Sequence, residues 1–379
     1  MPRSPEAEPP LAALVRYFLV LGTIGFGGPI ALVGAMRRDL VEQRGWITER
    51  DYGEGLALSQ LAPGPLAAQL AIYLGWVRAG VAGGTLTGLA FVLPSFVMVL
   101  ALSAAYVRYG GMAWIQGVFY GIGPAVIAVI ARSATRLARA TLRVDRWLWL
   151  VFAGNALLTA WFQAELVVAV LLSGALLMMA RGAWRPRAGT ALLLVPLPAM
   201  LAGAASLPEI AWYFAKAGVL VFGSGLAIVP FLYGGVVSQH HWLTERQFLD
   251  AVAVAMITPG PVVITVAFIG FLVAGAAGAV CAALGMFLPA YLFVVIPARW
   301  FRSAADRPGV RAFVDGVTAA ATGCIAGAAI VLAQRAIVDL PSVVICLAAL
   351  VTLQLARRIP EPVVILAAGV AGLLLYSRN

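Results

Sequence analysis

The chain has 379 residues, 62% of them hydrophobic and only 11% charged, with a net charge of +10 and a mean hydropathy of +0.96. A soluble domain carries about a quarter charged residues, so this composition excludes one and points to a polytopic, all-α membrane protein. The basic excess does not indicate nucleic acid, because the arginines stand between apolar runs, as they do in cytoplasmic loops.

From the N-terminus, "MPRSPEAEPP" lacks a basic region and a small-residue cleavage site. The first apolar segment is therefore expected to stay as a helix rather than be removed as a signal. Glycines at Gly25, Gly27 and Gly28, followed by Pro29, make a weak point near its end. "TERDYGE" (48–54) reads as a polar helix start. It leads into an uncharged run, Gly55–Val77, that is interrupted by Pro63-Gly64-Pro65. A residue before proline avoids the helical region, and a following proline suits the first turn of a new helix. The runs Ala79–Val107 and Tyr109–Ala131 reach the roughly 20 residues that span a bilayer core. A basic loop, Arg132–Arg146, follows.

After the apolar linker run 188–208 comes Lys216, the only lysine in the chain, and then Phe222-Gly223-Ser224-Gly225. His240-His241 sit in a polar loop with no carboxylate or cysteine at ligand spacing, so no metal or other cofactor is expected. "TERQFLD" (244–250) and "MITPGPVVITVAFIG" (256–270) repeat the earlier pattern. A second basic loop occupies Arg299–Arg311, and Cys281, Cys324 and Cys346 lie scattered in apolar segments.

These likenesses amount to an internal duplication. Trp46-Ile47-Thr48-Glu49-Arg50 meets Trp242-Leu243-Thr244-Glu245-Arg246, and Pro63-Gly64-Pro65 meets Pro259-Gly260-Pro261, both at an offset of 196 (259 − 63). One deletion later the offset is 195: Gly75 meets Gly270, Ala79-Gly80 meets Ala274-Gly275, and Leu93-Pro94 meets Leu288-Pro289. The expected organisation is one repeat at 11–181, a linker at 182–208 and a second repeat at 209–377. The two basic loops are not equivalent positions, since 299–311 corresponds to about 104–116. If both face the cytoplasm, the repeats have inverted topology, as in many secondary transporters. Were each PGP segment an interrupted span, the linker would have to cross, giving about thirteen spans; were each re-entrant, it would not, giving about ten.

Chemistry is expected at the breaks. A helix that restarts in a membrane presents unpaired N–H groups that attract anions, and such backbone must line a cavity or be buried in protein. Gln60 and Gln69 flank the first PGP, and Thr258 and Thr265 the second, placed either to bond an oxyanion or to satisfy freed backbone. Lys216, six residues before Phe222-Gly223, is a candidate anion ligand, with snorkelling as the plain alternative. Glu54 and Asp250 are equivalent positions, each nine residues before its PGP. They are candidates either for proton coupling or for a helix-start role. No His, Asp or Glu cluster at catalytic spacing favours a membrane-embedded enzyme.

"FGGP" (26–29), "MRRDLVEQRGW" (36–46), "GLALSQLAPGPLAAQLAIYLG" (55–75) and "GLAFVLPSF" (88–96) resemble the chromate transporter family. "FGSGLAIVPFLYGGVV" (222–237) and "DAVAVAMITPGPVVITVAFIG" (250–270) do so as well, and the resemblance covers both repeats. It implies a two-domain exporter of chromate from the bacterial cytoplasm across the inner membrane. The membrane potential or the proton gradient would drive it, with sulfate as a competitor and chromate resistance as the result. Transport of another oxyanion such as sulfate is the alternative. Many members carry polar residues just after the first PGP; here Leu66, Ala67 and Ala68 stand there, which shifts weight to backbone donors.

Overall fold

The computed structural model describes residues 10–26, 28–110, 112–142, 145–162, 167–181, 206–221, 228–298, 308–356 and 359–376. All regular structure among them is helical. In the first repeat these are α1 (Leu11–Ile24), α2 (Gly28–Met36, continued by a π-helical turn Arg37–Gln43) and α3 (Glu49–Leu61). They are followed by α4 (Leu66–Tyr109), α5 (Ala113–Leu142), α6 (Arg146–Phe162) and α7 (Val167–Ala180). The second repeat follows the same order with α8 (Leu207–Leu220), α9 (Val229–Leu232, continued by a π-helical turn Tyr233–Gln239) and α10 (Glu245–Ile257). Then come α11 (Thr265–Val295), α12 (Pro308–Ala336), α13 (Leu340–Leu355) and α14 (Glu361–Tyr376). Among the described residues four helical stretches, Leu66–Tyr109, Trp114–Arg139, Val262–Val295 and Arg311–Ala336, are long and apolar enough to cross a membrane.

The expected polar helix starts form as read. The Thr48 side chain accepts the Asp51 amide, and Thr244 makes a reciprocal capping box with Gln247. Pro65 and Pro261 are extended cap residues just before the new helices rather than first-turn residues. The duplication extends to backbone angles. α4 breaks at Ala79 (φ −148°, ψ 33°) and Gly80 (58°, −144°), and α11 at Ala274 (−145°, 32°) and Gly275 (62°, −154°). Both glycines occupy left-handed backbone that other L-residues resist.

At these breaks the chain reverses. A Cβ on Gly75 would lie 2.4 Å from the Gly83 carbonyl oxygen, and one on Gly270 2.4 Å from that of Gly278. The Thr87 hydroxyl donates across the turn to the Ala71 carbonyl at 2.8 Å. Each of these helices is thus a short arm folded against a long one.

The PGP segments also turn back. The Tyr73 hydroxyl donates to Glu54 at 3.3 Å, and Tyr73 packs on Gly55. Residues 54 and 73 stand about equally far from Gly64; in a straight span of 1.5 Å per residue they would lie roughly 28 Å apart. α3 and the short arm of α4 are therefore a re-entrant hairpin with PGP at its tip.

α1 and α2 form a second hairpin of the same depth, since the Tyr17 hydroxyl reaches Asp39 at 3.2 Å. In the second repeat Tyr213 reaches back to the Phe231 carbonyl at 3.1 Å. The weak point near Gly25 is where the first of these hairpins reverses.

This second reversal corrects the coupled reading of span number. Arg181 bridges Asp145 (2.7 Å) and Asp315 (2.6 Å), so the ends of α5 and α7 and the start of α12 share one basic face. Glu209 lies 3.6 Å from His240, and Glu245 pairs with Arg335 at the end of α12, on the opposite face. Arg181 and Ser206 therefore stand on opposite faces even though the PGP segments re-enter.

The long arms run antiparallel. Thr85, near its turn, meets Tyr291, far from its own, at 2.7 Å. The repeats are inverted, and they interlock: α12 packs chiefly on α6 and α7, and α5 on α14, α12 and α13.

Candidate functional site

The hairpins enter from opposite faces and their tips meet. The Gly64 N–H donates to the Val221 carbonyl at 2.6 Å, and the Gly260 N–H to the Gly25 carbonyl at 2.8 Å. Each PGP glycine thus caps the first helix of the other repeat. Only glycine serves at either tip. Gly64 has φ +143° and a Cβ there would meet the Gln69 amide and Ala290; Gly260 has φ +97° and would meet Ser95. Ala290 and Ser95 each follow the proline inside a long arm, Pro289 and Pro94.

Between the tips lies a narrow cleft, with about 10 Å³ of room as it stands, lined by Pro29, Leu32, Pro65, Leu66, Ala67, Pro261, Val262 and Val263. The first amides with an acceptor in their own helices are Gln69 N–H, to Pro65, and Ile264 N–H, to Pro261. The amides of Leu66, Ala67, Val262 and Val263 precede those bonds, so two helix N-termini open on one cleft. The central Gly64 and Gly260 amides are already engaged, so the donors fall two to three residues later than the motif glycines.

Residues 12–179 and 208–373 match the sequence model of the chromate transporter family. The chain belongs to the chromate transporter family. It is 54% identical over 374 residues to a chromate transport protein of Cupriavidus metallidurans, covering 97% of this chain and 93% of that one. A probable chromate transport protein of Synechococcus elongatus is 53% identical over 97% of this chain and 96% of its own length. A chromate transport protein of Pseudomonas aeruginosa is 34% identical over 99% and 95%. No solved structure matches the chain.

In this chromate transporter the flanking polar residues serve the backbone first. The fully buried Gln69 donates its amide to the Pro63 carbonyl at 2.8 Å, which orients the group and leaves its Oε1 without a hydrogen bond. The Thr258 and Thr265 hydroxyls donate to the Val254 and Val262 carbonyls at 2.7 and 2.8 Å. Gln60 is exposed. Gly28, at φ +72°, opens α2 beside Pro29. Gly27, Gly223, Ser224 and Gly225 lie outside the described residues.

The transporter's Lys216 does not line the cleft. Helical side chains lean toward the N-terminus, and its Nζ sits 5.9 Å from the Tyr213 ring, within reach of the Glu209 charge. The equivalent carboxylates also diverge. Glu54 pairs with Arg50 at 3.1 Å and accepts from Tyr73 of its own hairpin. Asp250, 6% exposed, accepts from Tyr106 at 2.7 Å, and Tyr106 comes from the long arm of α4 in the other repeat. Nothing in the sequence marks Tyr106 as its partner, since the two are 144 residues apart.

Proposed function

We propose that this member of the family exports chromate from the cytoplasm across the bacterial inner membrane, driven by the membrane potential or the proton gradient, and so gives resistance. One observation carries the reading: two helix N-termini, entering from opposite faces, open on a single cleft between the repeats. A tetrahedral dianion suits such paired backbone donors. Among the described residues that line the cleft none is cationic, which suits binding weak enough for release. Rocking of one repeat's hairpins against the other's, with the Gly64–Val221 and Gly260–Gly25 bonds opening in turn, would expose the cleft to each face alternately. Lys216, on the second repeat's own hairpin, adds positive charge along the path to the face opposite the basic one.

Everted vesicles, whose cytoplasmic face is outward, test this with labelled chromate and labelled sulfate. Chromate uptake is expected; preferential sulfate uptake would establish the other oxyanion instead, and efflux would reverse the direction. Lys216→Ala should lower resistance at unchanged membrane level, and full resistance would remove Lys216 from the path.

A further inference from the structure

Two carboxylates occupy equivalent places in the inverted repeats, Glu54 half-buried and Asp250 buried, and among the described residues only Asp250 is left without an ion-pair partner. Glu54 has Arg50 at 3.1 Å and keeps 19% of its side chain exposed. Asp250 makes no ion pair among the described residues; Arg246, one turn earlier on the same helix, acts on it at a distance. Its close partner is the Tyr106 hydroxyl at 2.7 Å, held from the other repeat. The Tyr106 ring is fixed edge-on between Phe119 of α5 and Phe268 of α11, at 5.5 and 5.2 Å. α5, α11, α14 and the π-helical turn after α9 also pack near α10, but among the described residues the charged or titratable groups that act on Asp250 are Tyr106 and Arg246.

The register explains the exchange of partners. At the offset of 195, Tyr73, the donor to Glu54, aligns with Phe268 (73 + 195). The second repeat therefore lacks an intrinsic hydroxyl there, and Tyr106 reaches across to supply one while packing on that same Phe268. An unpaired carboxylate at such depth is costly and usually functional.

We infer that Asp250, tied to Tyr106 across the boundary between the repeats, is the group that takes up the proton moving counter to the anion. The inference rests on the export reading above. In the ionised state the Tyr106 O–H donates to the carboxylate, and α10 is fastened to the long arm of α4. Transfer of a proton from hydronium gives the neutral carboxyl and water, removes the charge from that bond and weakens it. Asp250 sits on the rigid helix that ends at the second PGP, nine residues before Pro259. Loosening this tie frees that hairpin to move, carrying with it the Gly260 N–H bond to Gly25. Proton uptake and opening of one tip bond are thereby linked.

The experiment uses everted vesicles holding the full chain and labelled chromate, with and without an acid interior, alongside exchange of labelled for unlabelled chromate at equal pH. An acid interior should accelerate uptake by the unmodified protein. Asp250→Asn should abolish that acceleration while exchange persists, and Glu54→Gln should keep it. Acceleration that survives in Asp250→Asn overturns the assignment. Absence of both uptake and exchange in the unmodified protein would instead overturn the export reading. Tyr106→Phe carries the test should Asp250→Asn fail to reach the membrane. Loss of a donor to the charged form should move the pH midpoint of uptake upward by about one unit, and an unmoved midpoint overturns the proposal.

Discussion

The two PGP hairpins match closely in backbone and differ in chemistry. The glycines that turn each short arm into its long arm, Gly80 and Gly275, share dihedral angles to within about ten degrees, and each PGP tip donates one amide to the same carbonyl position of the opposite repeat. Their side chains do not match. The first hairpin is stapled by the Gln69 amide and keeps Glu54 in a local pair. The second uses two threonine hydroxyls and hands its carboxylate to a tyrosine from across the boundary. Inverted symmetry fixes the path, and departures from it set the chemistry of the two hairpins apart.

The largest effect should come from the tips. Gly64→Ala and Gly260→Ala each combine a left-handed backbone with a Cβ inside van der Waals contact, so each should cost at least about 3 kcal/mol. Thermal unfolding in detergent checks this, and tolerance at one tip alone would break the equivalence. Gly75→Val and Gly270→Val, which push the hairpin arms apart at matched places, should cost about 2 kcal/mol each and equally. Gln69→Leu leaves the Pro63 carbonyl unpaired and should cost about 1–3 kcal/mol. Thr265→Val should cost less, since it removes only a bond to its own turn.

The smallest effect lies outside the spans. Arg181 holds the Asp145 carboxyl below its usual range by hydrogen bonding, but both groups are about one-third exposed. Arg181→Ala should therefore cost about 1 kcal/mol or less at neutral pH. A depressed carboxylate stabilises above its unfolded pKa of about 3.9, and the benefit disappears as pH falls through the folded value. The difference between variant and parent should accordingly vanish in acid, measured as unfolding temperature against pH.

Much of this was legible in the sequence. The duplicated Trp-x-Thr-Glu-Arg and PGP blocks carried the repeat, unequal basic loops carried the inversion, and Thr48 and Thr244 capped helices as read. The re-entrant course was not legible, because it depends on Tyr73 meeting Gly55 and Tyr17 meeting Asp39, contacts that a single apolar run does not encode. Loss of the Gly64 and Gly260 amides as free donors was equally hidden, since their acceptors lie in the other repeat. Lys216 stood out by rarity, but its rotamer turns it toward Tyr213.

The interlocking of α5 with α13 and α14 bears on how the molecule is made. Membrane domains are synthesised from the N-terminus, at a pace slow enough for early segments to fold first. Yet the main partners of α5 are the last three helices of the chain, and both tip bonds need a donor from one repeat and an acceptor from the other. The first repeat must wait in the bilayer, incompletely packed, until synthesis is nearly finished. Two separately encoded repeats should for the same reason be stable only when produced together, each serving as the scaffold on which the other closes.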